Sequence, residues 1–349
     1  MANRVVGIDI GSTAIRAVEV ERPDRAKPTL LRHAMIPLPF GAVSRGEVLE
    51  PNTVSACLKQ LWSAGKFTSK KVVLGMGNQR VLVRDLTVAK APRDRIREAL
   101  PFHVQEMLPV PVADALLDFF PVSEAVSDSG PVVHGLLVAA VKDAVLGNVR
   151  AVESAGLTTT DVDLIPFALS RVLSTRSGVA GLAALVDIGA STTSVVIVKD
   201  GIPQFVRIIS AGGDDVTKAL RERLDLDELT AERLKREIGL AKEVKTIEEQ
   251  HVVEVIYHLT GDLLTSLRNT ISYYANTRPE EPVGRIILTG GGAQLLGLGS
   301  ALAEMSRLSV EPGDPFASIA LSRNLSAESL RANRSALAVA LGLALRSAA

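Results

Sequence analysis

This 349-residue sequence predicts an α/β fold of two lobes, the first carrying an inserted α+β subdomain, and three observations carry that expectation. The phrase VVGIDIGSTAIRAVEV at residues 5–20 recurs as AALVDIGASTTSVVIVKDG at residues 183–201. The chain is longer than the roughly 250–300 residues at which a single hydrophobic core stops growing, so each copy suits a lobe of its own. Between the copies, from about Arg80 to Gly156, the texture changes to a strand, helix, strand, strand, helix order.

Each element follows from its local pattern. Val5 to Asp9 is a β-branched run ending at Gly11, and AIRAVEVE then alternates, which reads as a strand hairpin. PNTVSACLKQLWSAGKF reads as a helix with Asn52 as cap after Pro51, and KKVVLGM as a buried strand. The inserted segment gives a strand in RVLVRDLTV, a helix in PRDRIREALPFHVQEMLPVPV and a strand in ADALLDFFPV. After a polar gap at SEAVSDSG come a strand in VVHGLLVAAV and a helix in KDAVLGNVRAVESAG. TTTDVDLIPFALSRVL is a strand and then a helix whose first turn holds Pro166, where the missing N–H costs nothing. The second hairpin, Ala184–Asp187 with Thr193–Lys199, closes at a turn over Lys199–Gly201. Helices follow in GGDDVTKALRERL, in TAERLKREIGLA with Thr230 as cap, and over 248–276. RIILTGGGAQLLGLGSALAEM is a buried strand, a triple-Gly turn and a helix. SALAVALGLALRSAA is an Ala/Leu helix whose small residues suit close internal packing.

Composition narrows the function. Lys plus Arg equals Asp plus Glu, 39 each, so there is no cationic excess for a phosphate backbone and nucleic acid is not an expected partner. Aromatics are 3% against 47% apolar residues, so the core is built from Val, Leu, Ile and Ala. Cys57 is the one cysteine, without a disulfide or thiolate companion, which favours a reducing compartment. No apolar run approaches the ~20 residues of a membrane helix, and the N-terminus enters a strand directly rather than a signal peptide. The expectation is a cytosolic protein. Five scattered His residues show no ligand spacing.

The repeated hairpins carry the chemistry. A strand that delivers Asp to its tip, followed by Gly and hydroxyl residues, cradles phosphate through exposed N–H groups, while its carboxylate organises a hydrated Mg²⁺. One copy alone is an ordinary Asp-Gly turn. Two copies grip a phosphate chain from both sides, as opposing jaws of one nucleotide cleft. In IILTGGGAQLLGL, glycines let the backbone lie against a flat ring. Glu232 and Lys235 lie three apart on a helix face, which on its own is an ion pair on a solvated helix.

The ordered set GIDIGST, DVDLIPFAL, LVDIGAST, AERLKREIG and LTGGGAQL resembles the actin, heat-shock-chaperone and sugar-kinase ATPase superfamily over essentially the whole chain. Within it, REALPFHVQEMLPVPVADALLDFF resembles the PilM family of type IV pilus assembly, on the FtsA-like branch. The resemblance implies an actin-like ATPase fold: a first lobe at 1–79 and 157–180, the inserted subdomain at 80–156, a second lobe at 181–330 and a C-terminal helix at 331–349 packing back on the first lobe. It implies ATP and Mg²⁺ as cofactors. Asp9, Gly11, Ser12 and Thr13 form the first phosphate loop, and Arg16 stands where relatives have Lys. Asp187, Gly189, Ser191 and Thr192 form the second loop, with Asp9 and Asp187 holding Mg²⁺ through water. Gly212 and Gly213 border the ribose and phosphates, Glu232 and Lys235 face the adenosine, and Gly290, Gly291, Gly292 and Gln294 line the base.

One departure bears on turnover. Hydrolytic members place Glu or Gln near the attacking water, and here Ile165 precedes Pro166; losing a positioned base forfeits a factor of about 10²–10⁴. Asp161 and Asp163 are substitutes whose side chains alternation puts on one side, into the cleft or away from it. The resemblance implies a cytoplasmic scaffold that binds ATP and hydrolyses it slowly or not at all. It sits at the inner face of the membrane through other pilus assembly proteins and takes the N-terminal cytoplasmic tail of PilN in a groove near Arg80–Leu117. LPVPV is a groove edge or merely a rigid turn. The alternatives are a self-associating FtsA-like filament, for which a tail with only Arg346 is a poor membrane anchor, and a small-molecule kinase, for which a base is lacking.

Overall fold

The computed structural model describes residues 3–346 apart from 129, 179, 242, 245, 280 and 281. The ends of the expected first lobe and C-terminal helix, residues 1, 2 and 347–349, lie outside the described residues. In chain order the first lobe opens with β1 (Arg4–Ile10), β2 (Ala14–Glu21), β3 (Thr29–Pro37), the small hairpin β4 (Val43–Ser44) and β5 (Glu47–Val48), α1 (Pro51–Gly65) and β6 (Lys71–Met76). The inserted segment follows as β7 (Val81–Ala89), α2 (Arg93–His103), β8 (Ala115–Ser127), β9 (Gly130–Val141) and α3 (Lys142–Ser154). The chain returns through β10 (Thr158–Leu164) and α4 (Ile165–Ser170). The second lobe contains β11 (Leu182–Ile188), β12 (Thr193–Lys199), β13 (Ile202–Ile209), α5 (Gly213–Leu224), α6 (Glu228–Ile238), α7 (Ile247–Thr277), β14 (Arg285–Thr289), α8 (Leu298–Ser306) and β15 (Ser309–Pro312). The chain then crosses back with β16 (Ala320–Leu321), which pairs with β3 of the first lobe, and continues through α9 (Ala327–Ala332) and α10 (Arg334–Ala344).

The repeated phrase corresponds to a repeated sheet. The first sheet runs β10-β6-β1-β2-β3-β16 and the second β15-β14-β11-β12-β13. In each, the phrase supplies the central strand and its antiparallel partner: β1 with β2, and β11 with β12. In each, the central strand's other edge pairs in parallel with a strand that arrives by a helical crossover, β6 or β14. Parallel strands covered on both faces read as continuous apolar runs, which is why VVLGM and IILT show no alternation.

α4 and α10 lie between the sheets. Ala168 and Leu169 of α4 share a core with Leu337, Leu341 and Leu343 of α10, Val18 and Val20 of the first sheet, and Val196 and Val198 of the second. The Ala/Leu composition of α10 is explained by that position: a methyl added at Gly342 would stand 2.2 Å from the carbonyl oxygen of Ala168. α3 packs on α1, and its Ala151 and Val152 join Val54 and Leu58 in the first lobe's outer core. The inserted sheet, β7-β9-β8, buries Val88, Phe119 and Leu137 against Ile96 and Leu100 of α2.

Four local expectations need correction. The first helix begins at Pro51 itself, so Asn52 lies inside it and Glu50 flanks it; proline fits this first position because its missing N–H has no intrahelical partner there. α6 is capped by Asp227, whose carboxylate accepts from the Thr230 N–H at 3.0 Å, so its first turn starts before Thr230. The polar stretch after Val122 is not a gap: β8 continues to Ser127 paired with β9, because a two-stranded arm with both faces open tolerates polar residues. The α2 helix is also shorter than its apolar pattern, ending at His103 in two 3₁₀ turns, Gln105–Met107 and Val112–Asp114, since Pro109 and Pro111 cannot donate to a helix.

Candidate functional site

Both hairpin turns open onto one cavity of about 1310 Å³ between the lobes. Asp9, Gly11, Ser12, Thr13 and Arg16 line it from the first lobe, and Asp187, Gly189, Ser191 and Thr192 from the second. Gly212, Gly213, Glu232, Lys235, Gly290, Gly291, Gly292 and Gln294 complete the same wall, so every site residue inferred from the sequence faces one space. The two turns touch: the hydroxyls of Ser12 and Ser191, 179 residues apart, are hydrogen-bonded across the cleft.

The turns share a construction. Gly11 N–H donates to the Ala14 carbonyl at 3.1 Å, and Gly189 N–H to that of Thr192 at 2.9 Å, so each closes tightly at the tip of its strand. Strand register sets Asp9 opposite Arg16, and the guanidinium lies 3.3 Å from the carboxylate. The Arg16 Nε is buried with no hydrogen-bond partner, a donor left for something in the cleft. α5 is stapled to the second turn: Gly213 N–H donates to Gly189 O at 3.0 Å and Asp214 N–H to Ala190 O at 2.7 Å. Gly290 has φ +93°, and a methyl there would stand 2.3 Å from the Ile188 carbonyl, so only glycine lets this loop cross the end of β11.

The electrostatics are those of a site short of positive charge. Burial pushes the Asp9 carboxyl above its ordinary value, with Arg16 partly offsetting it. Burial, and then the neighbouring charge of Asp9, push Asp187 to about 7, against the pull of Arg16. Two buried carboxylates, one raising the other, beside a single arginine fit a divalent cation between them. A magnesium ion that keeps most of its water asks for no more than one or two carboxylates.

Glu232 and Lys235 do form the ion pair expected of their spacing, at 2.5 Å, but it faces the cleft and not solvent. Lys235 also donates to Thr217 Oγ1 at 2.7 Å and to the Gly213 carbonyl at 3.1 Å, tying α6 to α5. Burial pushes the Glu232 carboxyl up, yet hydrogen bonds and charge from Lys235, with bonds from Thr217 and Arg236, outweigh it and hold the group below its usual range.

Ile165 lines the cleft with Gly75 and Gly77, against whose missing side chains it packs; a methyl at Gly77 would meet its Cδ1 at 2.8 Å. Asp161 and Asp163 do point the same way, but to Arg346, each at 2.6 Å, and Asp163 also pairs with Arg171 at 2.7 Å. Neither lines the cleft, so they do not stand in for the missing Glu or Gln. Thr217, Asp214 with Lys218, and Arg45 with Gly46 also line the cavity, although no sequence motif pointed to them. Only Arg45-Gly46 left a trace in the pattern, as a two-residue turn between short β-branched segments.

Twin sheets of the same topology, facing each other across a cleft that both Asp-Gly turns enter, define an actin-like ATPase fold. MreB 5 of Spiroplasma citri bound to AMPPNP shows that fold, at 12% identity and a TM-score of 0.54 over 98% of this chain and 95% of that one. The chain belongs to the type IV pilus assembly protein PilM family, whose sequence pattern matches residues 7–348. A solved PilM-PilN type IV pilus biogenesis complex contains a chain 30% identical to this one, with 98% of each covered and a TM-score of 0.86. The cell division protein FtsA of Bacillus subtilis (strain 168) is 23% identical over 349 residues, 89% of this chain and 78% of that protein.

Proposed function

We propose that this chain is a nucleotide-binding scaffold of the type IV pilus assembly platform at the cytoplasmic face of the inner membrane. It binds ATP with Mg²⁺ between its lobes and the N-terminal tail of PilN beside the inserted subdomain. The observation that carries the nucleotide half is the meeting of two Asp-Gly-hydroxyl turns over a cavity large enough for a nucleotide. Asp9 and Asp187 would hold the cation through water, which would screen the phosphate charge. The loop amides and the Ser12, Thr13, Ser191 and Thr192 hydroxyls orient the phosphates, and Lys235 with Glu232 fixes the α5–α6 wall beside the nucleoside. Ile165 supplies no proton acceptor where water would attack, which supports slow turnover.

The partner half rests on the complex formed by the related PilM chain and on a surface in the expected segment. Phe102 is 85% exposed, and with Pro101, Leu108, Pro109 and Pro111 it lines a second cavity of about 580 Å³. An extended peptide docks in such a place through apolar anchors. No helix among the described residues is long and apolar enough to cross a membrane, so attachment to the membrane goes through the partner. α10 buries Leu337–Ala344 between the sheets, so this helix is a packing element and not itself a surface for lipid.

Titration calorimetry with ATP and Mg²⁺, then with a PilN tail peptide, tests both halves. Binding of both with little phosphate released over hours is the expected result. Brisk hydrolysis, or no peptide binding, would sink the scaffold reading. Ile165→Glu is expected to raise phosphate release at least about tenfold, by restoring a proton acceptor at the cleft wall. Phe102→Ser is expected to weaken the peptide by about tenfold while shifting Tm by under about 2 °C, because an exposed anchor contributes to docking and little to the core.

A further inference from the structure

β4 and β5 form a hairpin whose two central residues are Arg45 and Gly46, since Ser44 pairs with Glu47. Both central residues have positive φ, +48° and +81°. This is the two-residue turn whose first position favours Asn, Asp or Gly, because a side chain with an ordinary Cβ is crowded in the left-handed region. An arginine therefore stands where an asparagine would close the same turn at lower cost. Non-glycine residues held in this conformation concentrate where function requires them.

The turn is also held in place with unusual care. Asn78 and Asn148, both fully buried, donate to the Gly46 carbonyl at 3.4 and 3.1 Å. Asn148 accepts from the Val48 N–H at 3.0 Å, and Arg80 pairs with Glu47 at 3.0 Å. Two buried side-chain amides thus spend their hydrogen bonds on fixing where the residue at the tip sits.

That residue is the cleft's unspent cation on the first lobe. Arg45 is exposed and lines the cavity together with Asp9, Gly11 and Ile165. Of the other cations around the cavity, Lys218 pairs with Asp214, Lys235 and Arg236 pair with Glu232, and Arg16 pairs with Asp9 while its Nε stays unpartnered. Among the described residues Arg45 has no ion pair or side-chain hydrogen bond. Arg223 shares that freedom but lies ten residues along α5, about 15 Å along the helix axis, from Gly213, which bonds the second turn.

We propose that Arg45 clamps the terminal phosphate of a bound nucleoside triphosphate and so lets the cleft distinguish triphosphate from diphosphate. The proposal rests on the nucleotide reading of the cleft. A guanidinium offers paired donors that match two phosphate oxygens, and it needs no proton transfer, in keeping with a site that lacks a base.

The test measures affinity for AMPPNP and for ADP, each with Mg²⁺, together with Tm, for the full chain and for Arg45→Asn and Arg45→Lys. Arg45→Asn is expected to keep or raise Tm, because asparagine suits the turn, and to lose about tenfold or more in AMPPNP affinity with ADP affinity within about twofold. Arg45→Lys is expected to recover part of the loss, as a point charge without the fork. Unchanged AMPPNP affinity in Arg45→Asn, or equal losses for both nucleotides, would overturn the clamp. A loss confined to the PilN peptide would overturn it too, placing Arg45 in the peptide groove. If the unmodified chain binds neither nucleotide, the nucleotide reading fails first and the clamp with it.

Discussion

Asp187→Asn is expected to weaken Mg²⁺-dependent ATP binding by about a hundredfold or more while making the nucleotide-free protein more stable near pH 8. Both effects come from one electrostatic fact. Burial and the neighbouring Asp9 push the Asp187 carboxyl to about 7. In the unfolded chain it titrates at its ordinary value near 3.8. Between those values the folded state keeps a proton that the unfolded state has lost, so the folded state binds more protons and stability falls as pH rises through the window. Its contribution is complete below about 4 and lost above about 7, on the order of a few kcal/mol. An asparagine never ionises and avoids the loss, so the gain in Tm should be larger at pH 8 than at pH 5.

Nucleotide affinity should run the other way with pH. The cation needs the charged carboxylate, so Mg²⁺-ATP has to displace the proton, and affinity should fall by up to about tenfold per pH unit below about 7. Calorimetry across pH 5.5–8.5 would show this slope in the unmodified chain and its absence in Asp187→Asn. A flat profile, or full Mg²⁺-dependent binding by the variant, would remove Asp187 from the cation's site.

Gly342→Ala is expected to lower Tm sharply, whereas Gly147→Ala, the same chemical change on another helix, should raise it slightly. At Gly342 the added methyl would stand 2.2 Å from the Ala168 carbonyl oxygen and 2.6 Å from its carbon, both backbone atoms that no rotamer change can move. α10 or α4 must then shift, and both are packed between the two sheets. Overpacking of this kind costs about 1–3 kcal/mol or more. Arg171 also donates to the Gly342 carbonyl, so the shift would pull on the Asp163–Arg171–Arg346 network. Gly147, on α3, has nothing within 4 Å of the new methyl, and alanine there gains about 0.5–1 kcal/mol in helix preference. Thermal unfolding of the two variants side by side checks the sign of each. Equal shifts would mean that α10 is not the tight wedge described here. Because Ala336 and Val339 of α10 also line the cleft, Gly342→Ala should weaken ATP binding as well.

Much of this molecule is legible in its sequence. The doubled hairpin announced two related sheets because an Asp-Gly turn between β-branched runs leaves few other arrangements. Burial on both faces made β6 and β14 readable as plain apolar runs. A local rule fails where it competes with a neighbour: Asn52 and Thr230 are good capping residues, but Pro51 already occupies the first helical position and Asp227 caps α6. The fate of Asp161 and Asp163 was half visible. Alternation put them on one side, but which side depended on Arg346, some 180 residues away in the chain.

By itself, the sequence determined the strands, the two turns and the chemistry each turn can perform, because those depend on residues next to one another. Only the tertiary structure decided that the Ser12 and Ser191 hydroxyls meet, that Asp9 raises Asp187, that Asp161 and Asp163 turn to Arg346, and that Arg45 lines the cleft without an ion pair. These depend on distances between groups far apart in the chain, and the packing of α4 and α10 between the two sheets sets those distances.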